Sequence, residues 1–498
     1  MKMRRLALWL LICGMVLSLI EVPIRAYAAP ELQLQESCTY GEKTDISEYK
    51  LTEQQLEEVY YGMLYAGKLP WYTSDEYTYY YSDTSGLVLE FEPVLLDESY
   101  DRMAYEQAVA AILHDCILEG MEPWQKALAI HDYLILNCVY DEDLELRTGY
   151  DLLIKGSTVC SGYAALYQDL MLRLGIPCLQ VDSEEMEHVW NLVQLDGVWY
   201  HVDVTWDDPT PDTYGMVEHS YFLRSDQEMK AGDEPHHGWE TDILCPESYP
   251  NAFWEDVHSQ VLFTDDNTCF YLREKDCRNS LYCRDLAQNK ESRIYREKNQ
   301  GVNLGKGKYV YFHTGLSLRD GRLWLSTMDQ VLSMKLDGTG QKTEYKYDTK
   351  KEKRCLMGCF VTDTEILLSV GNHQGEMVTL TQPLPATGAH QHTFTRTVQA
   401  ATCMDSGYTT AQCDCGITAT GDPKKALGHN WSNTSYRPAT LFEDGYATKT
   451  CNTCGETESL EYPRIDLMKW LQEHKSTILA VGLAGVCLVL RVLRRKRN

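Results

Sequence analysis

The chain predicts a mixed α+β protein with an all-β part behind it, on three observations. Residues 101–117, 123–138 and 160–174 carry apolar residues at helical spacing, as in amphipathic helices. Two strand-like runs then flank Asp196-Gly197, a dipeptide suited to a type I′ hairpin turn. From 251 to 383 the helical period vanishes, and short alternating runs punctuated by Gly, Asn and Asp recur.

The two ends are of a different kind. Lys2, Arg4 and Arg5 precede an apolar run from Leu6 to Ile20, and Ala26-Tyr27-Ala28 offers small residues for cleavage, so residues 1–28 read as a secretory signal peptide. Residues 477–493 read as a transmembrane helix of about 25 Å, at the short limit for a bilayer. The basic residues of 494–498 read as its cytoplasmic tail. The expectation is a single-pass cell-membrane protein with an extracellular ectodomain, touching the membrane through that helix. With 46 Lys and Arg against 73 Asp and Glu, the net charge is −27, which argues against nucleic acid or anionic lipid as partners of the ectodomain. Of the 18 cysteines, Cys38, Cys116, Cys138 and Cys178 sit in helical or strand patterns and read as buried thiols.

Taken in order, residues 29–99 form an N-terminal α+β extension, with a helix over Thr52–Leu64 and a strand over Leu87–Glu92. Its tyrosines Tyr77, Tyr79, Tyr80 and Tyr81 suit cross-strand packing better than saccharide binding. Pro123 fits the first turn of the second helix, whose apolar stripe holds Trp124 and His131. His131 reads as a satisfied core histidine rather than a base.

Chemistry concentrates between Tyr150 and Pro209. Cys160 follows a Gly156-Ser157-Thr158 turn and opens the apolar helix through Tyr163, Leu166, Leu170 and Leu174, stopped by Gly175 and Pro177. Free N–H groups and the helix dipole favour a negative sulfur there, and the thiolate is the reactive form. If the Asp-Gly turn sets the register, His188 faces Thr205, Trp190 faces Asp203, and His188 and Asp203 become diagonal neighbours on one face. Cysteine, histidine and aspartate then supply a nucleophile, its base and the group that orients the base. His201 shares the His188 face and is the rival base. Asp207, Asp208 and Asp212 lack regular Ca²⁺-ligand spacing and read as a solvated acidic loop.

These residues carry a resemblance. Gly156-Ser157-Thr158-Val159-Cys160-Ser161-Gly162-Tyr163-Ala164, Leu174-Gly175-Ile176-Pro177, His188-Val189-Trp190-Asn191, Trp199-Tyr200-His201-Val202-Asp203 and Thr205-Trp206-Asp207-Asp208 resemble the transglutaminase-like superfamily in its bacterial, secreted form. Lys126–Tyr133, Val139-Tyr140-Asp141, Ser220–Leu223 and the His236-His237-Gly238-Trp239 cluster extend the match over about residues 100–250. The resemblance implies a papain-like α+β core with Cys160 as nucleophile, His188 as base and Asp203 as orienter; no metal or cofactor is expected. It also implies an aromatic at the oxyanion site, for which Tyr140 and Trp124 are the candidates.

Beyond 250, the β-rich domain at 251–383 divides into three loose units, which fits propeller-like blades or a sandwich. Leu384–Gly388 resembles a sortase signal but lies far from the apolar span, so 384–391 reads as a linker. Residues 392–460 hold an imperfect Cys/His repeat, Ala401–Cys413 realigning on Ala439–Cys451, with Leu441 where the first copy has Cys403. A zinc set of Cys403, Cys413, Cys415 and His429, decayed metal sites, or a disulfide such as Cys451–Cys454 all fit.

The expected function is a membrane-anchored, cysteine-dependent acyltransferase or peptidase acting on a protein or peptide substrate through a thioester. The alternative is a catalytically silent surface module binding a cell-wall or host polymer.

Overall fold

The computed structural model describes residues 2–6, 28–97, 99–231, 234–239, 241–250, 252–274, 279–298, 302–303, 309–310, 315–372, 374–440, 442–464, 466 and 469. The predicted span at 477–493 and residues 7–27 of the predicted leader lie outside the described residues. Among the described residues no helix is long and apolar enough to cross a membrane. The chain forms two compact units, one of residues 1–397 and 409–422, the other of 398–408 and 423–498.

The first unit begins with the α+β extension. Its helix Glu53–Tyr65 starts at a capping box, with Thr52 accepting from the Gln55 N–H and Gln55 accepting from the Thr52 N–H. Strands Thr73–Tyr81 and Val88–Leu95 pair antiparallel, and Tyr77 and Tyr79 are buried with Tyr60 and Phe91. Trp71 stacks on Tyr105 with ring centroids 3.9 Å apart, which seats the extension on the next helix.

That helix, Arg102–Cys116, is capped by Asp101. The next, Pro123–Leu136, carries its proline in the first turn, where a missing N–H costs nothing. Together with the nucleophile helix Cys160–Arg173 they enclose a core that includes Leu128, Leu134, Leu166, Leu170 and Val193. Each such side chain is worth about 1.5–3 kcal/mol on burial. Strands Cys178–Ser183, His188–Leu195, Val198–Val202 and Phe222–Arg224 form an antiparallel sheet in chain order.

The Asp196-Gly197 turn sets the expected register from Leu195–Val198 to Asn191–Val202. There the ladder stops. Asp203 leaves the sheet as the N-cap of a short helix, Val204–Asp207, its carboxylate accepting from the Trp206 N–H. The pairs Trp190–Asp203 and His188–Thr205 therefore do not form. Aspartate caps helices well, and the cap ends the strand one residue early.

Among the described residues the β-rich part holds three antiparallel meanders, 262–296 with four strands, 316–346 with four and 355–383 with three, and a short antiparallel pair of 302–303 with 309–310. Each takes its strands in chain order, the blade-like pattern, whereas a Greek-key sandwich interleaves them. Leu384–Gly388 is pinned to the third meander by Leu384 N–H to Thr364 O and Thr387 N–H to Asp363, and to the second by Arg319 to Pro385 O. The sequence repeats fold as three strands each, the second as an antiparallel sheet of Trp431–Arg437, Gly445–Cys451 and Thr457–Tyr462.

Candidate active site

Cys160 is the first residue of its helix, and the residue before it, Val159, is extended and has no side-chain oxygen to cap the helix. The first N–H groups of a helix lack partners inside it and point at whatever lies before it. At Gly162 an added Cβ would stand 2.0 Å from the Thr158 hydroxyl oxygen and 2.7 Å from the Thr148 carbonyl. Glycine is what lets the turn before Cys160 close against the helix.

His188 opens the strand His188–Leu195 and faces two partners. Its Nε2 lies 2.6 Å from Asp203 Oδ2, and the Cys160 sulfur is close enough to act on the ring's charge. The ring is buried between Trp190 and Trp206, with centroids 5.6 and 5.4 Å away. Burial works against its imidazolium form, but the Asp203 carboxylate and the Cys160 sulfur outweigh it and raise its pKa to about 10. Asp203 is fully buried; desolvation opposes its charge, yet His188 and His236 hold its carboxyl well below the usual range. The structure thus brings Cys160, His188 and Asp203 into one cluster.

His236 was not assigned a role from the sequence. Its Nε2 donates to the same Asp203 oxygen at 2.8 Å, and it packs against Trp206, Trp190 and Tyr221. Its segment is held to the end of the neighbouring strand, where Ser183 pairs with His188, by a Ser183–Trp239 bridge and by Ser183 Oγ donating to His237 O at 2.7 Å. The His236–Trp239 cluster was visible as a motif. Its contact with Asp203 was not, because it depends on the path of the chain after Phe222–Arg224.

Of the other candidates, His201 is committed elsewhere: Nδ1 accepts from Trp190 Nε1 and Nε2 faces Asp226, each at 2.9 Å. Trp124 sits in an aromatic cluster with Tyr249, Phe253, Trp254 and Phe263. At Tyr140, burial first and the nearby Cys160 second push the hydroxyl's pKa up. His131 is fully buried, with Nδ1 2.9 Å from Asp132 and Nε2 3.1 Å from Asp207.

The solvated acidic loop expected at 207–212 is corrected. Asp207 and Asp208 are both buried. Asp207 accepts from the Tyr221 N–H and from His131, and Asp208 accepts from the Tyr163 hydroxyl. Their partners come from distant elements, which no local pattern reveals.

The thiols divide in two. Cys38, Cys116 and Cys138 are free, and burial pushes each up to about 12, which makes them inert. Cys160 is free and half-buried, at the helix start. The expected zinc set is split: Cys413 and Cys415 lie with His390 and His392, whereas Cys403 and His429 lie with Cys451 and Cys454. Cys451 and Cys454 are both free thiols, without the disulfide considered for them.

Residues 111–204 match the family description "Transglutaminase-like superfamily", from the first core helix to the residue after Asp203. Over 138 residues the chain is 26% identical to the kyphoscoliosis peptidase of Mus musculus, covering 24% of this chain and 21% of that protein. The Homo sapiens protein of that name is 25% identical over 138 residues, with the same coverage. The chain thus spans about a fifth of the length of these curated relatives. Among solved structures, one described as the crystal structure of a TGase is 13% identical over 26% of this chain and 43% of its own, with a TM-score of 0.19. A post-proline cleaving enzyme from Rickettsia typhi is 10% identical over 71% and 63%, with a TM-score of 0.20. Scores this low carry no argument, and the assignment of the core to the transglutaminase-like superfamily rests on the sequence match.

Proposed function

We propose that the chain is a cysteine-dependent acyl-transfer enzyme acting on a carboxamide or peptide carbonyl of a protein or peptide. The observation that carries the reading is the cluster of Cys160, His188 and Asp203, with the carboxylate 2.6 Å from the imidazole and the sulfur acting on the same ring. Cys160 is the nucleophile, His188 the acid and base, and Asp203 the group that fixes the ring.

In the first half-reaction the Cys160 sulfur adds to the carbonyl carbon. The oxyanion is met by the Cys160 N–H and the Tyr140 hydroxyl. The C–N bond then breaks, and the departing ammonia or amine takes its proton from His188, leaving a thioester. In the second, His188 takes a proton from the acceptor as it attacks the thioester, and the thiolate leaves. Water as acceptor gives hydrolysis and an amine gives a new amide. The buried Trp190 and half-buried Trp206 around His188 limit water there, which favours acceptors that bring their own apolar surface.

Mass spectrometry of glutamine-containing peptides, with and without an added primary amine, tests the reading. Cleavage, deamidation or amine incorporation by the wild type, and none by Cys160→Ala, is the expected outcome. Equal labelling of wild type and Cys160→Ala by a thiol-directed active-site probe would defeat it. We propose further, from the terminal sequences alone, that the enzyme is exported and held outside the cell membrane by residues 477–493. Protease shaving of intact cells tests this, and ectodomain peptides should be released.

A further inference from the structure

We infer that the Cys/His repeats hold two zinc ions, and that the Ala-Thr-Cys cysteine of one repeat serves the metal of the next. The first site consists of His390, His392, Cys413 and Cys415, and the second of Cys403, His429, Cys451 and Cys454. In each set the four ligand atoms lie within 4.8 Å of one another.

The spacings fit a tetrahedron around zinc. With Zn–S about 2.3 Å and Zn–N about 2.0–2.1 Å, tetrahedral angles put two sulfurs about 3.8 Å apart and a sulfur and a nitrogen about 3.5 Å apart. Cys403 and Cys451 sulfurs are 3.8 Å apart. His429 Nδ1 is 3.5 Å from Cys454, and His392 Nδ1 is 3.4 Å from Cys415 and 3.7 Å from Cys413. Of these edges, His390 Nε2–Cys413, at 3.0 Å, has to open by about half an ångström.

The surroundings point the same way. Both His392 and His429 turn Nδ1 to the sulfurs and Nε2 to a carboxylate. His392 Nε2 lies 3.0 Å from Asp115, and His429 Nε2 lies 3.3 Å from Glu456 with the Met404 sulfur at 3.0 Å. A carboxylate behind a ligating histidine fixes its tautomer and raises its basicity toward a metal. The CxxC of the second repeat and the CxC of the first both lie at a hairpin turn, closed by Cys451 N–H to Glu456 O and by Cys413 N–H to Ile417 O. The missing residue shortens the turn and keeps the two sulfurs in one site.

The shared cysteine accounts for the irregularities of the repeat. Cys403 belongs to the first repeat by sequence and to the second site by geometry. No further Cys/His set follows its counterpart Leu441 among the described residues, so the cysteine is dispensable there. The first site has no preceding repeat to lend a cysteine, and His390 takes that place. The ligand sets become two cysteines with two histidines, then three cysteines with one histidine, both usual for structural zinc.

The test is zinc content of the purified full-length chain, loaded with zinc and desalted. Two ions per chain are expected, one in Cys403→Ser, and one in Cys403→Ser combined with Leu441→Cys. No bound zinc in the wild type would overturn the inference. Two ions in Cys403→Ser, or a second ion regained on adding Leu441→Cys, would overturn the sharing. Cobalt substitution reads the same result optically, because Cys403→Ser leaves the thiolate-to-cobalt charge transfer of two sulfurs out of five. Should Cys403→Ser not fold, alkylation of the wild type decides. Cys403 is then protected together with Cys451 and Cys454 until a chelator is added, and its free alkylation in the zinc-loaded chain would overturn the proposal.

Discussion

At Asp203 one carboxylate oxygen takes hydrogen bonds from two imidazoles, His188 at 2.6 Å and His236 at 2.8 Å. His236 Nδ1 is buried with no hydrogen-bond partner among the described residues, so the hydrogen bond of its Nε2 to Asp203 is the polar contact that holds the ring. A second donor on the same oxygen tempers the carboxylate, and so limits how strongly Asp203 holds the imidazolium of His188. His236→Ala should therefore lower kcat by about tenfold and move the basic limb of the pH–rate profile upward. His236→Gln, which keeps a donor, should restore much of both; a limb that stays in place in His236→Ala would reduce the residue to packing. By comparison, His188→Ala should cost about a thousandfold or more in kcat, and Asp203→Ala less. The order cysteine, histidine, aspartate was legible in the sequence because each sits in a local motif. The share of His236 was not, because hydrogen bonds between segments leave no periodic trace.

The nucleophile helix depends on a close approach at its start. In Gly162→Ala the new methyl meets the Thr158 hydroxyl and the Thr148 carbonyl, and backbone cannot yield as a flexible side-chain tip can. The expected cost is about 1–3 kcal/mol of stability, read by denaturant titration, with loss of turnover beyond the loss of folded protein. Unaltered stability would show that the turn relaxes freely. This helix, its stop at Gly175 and the hairpin at Asp196-Gly197 were all legible, since periodicity and turn chemistry are local. The hairpin register also held as far as Val202. It failed at Asp203, where a helix cap took the aspartate out of the ladder. The cap nevertheless brings the carboxylate to His188, so the site formed by a route that strand alternation does not describe.

Across the whole molecule, the core does not end where the sequence pattern changes near residue 250. Asp132 accepts from His131, from His219 and, at 2.7 Å, from the Val261 N–H beyond that point. His219 in turn donates to the Val257 carbonyl, and the main core includes Trp254, Val257, Val261, Cys269 and Tyr271. His131 donates to two carboxylates and is an imidazolium; burial opposes the charge, but Asp132 and Asp207 raise its pKa to about 9. A raised folded-state value stabilises fully below the unfolded value of about 6.5, and that stability is lost as pH climbs through about 9. His188 acts in the same direction through about 10. Asp132 and Asp203, held low, lose theirs only as pH falls below about 4. Melting temperature should thus decline between pH 7 and 10, and less steeply in His131→Gln; parallel curves would exclude His131 as the cause. The same network bears on where the chain can be cut. A fragment ending at residue 250 leaves Asp132 buried without its backbone donor and strips Trp254, Val257, Val261 and Tyr271 from the core. One unmet hydrogen bond to a buried charge costs about 1.5–3 kcal/mol, and each lost core side chain adds about as much. Against the usual 5–15 kcal/mol of a folded domain, that is enough to unfold it. The fragment should therefore lack a cooperative thermal transition, whereas a cut after the first meander, past Arg296, should keep one. A fragment to 250 that melts like the longer one would place the core's limit where the sequence pattern alone puts it.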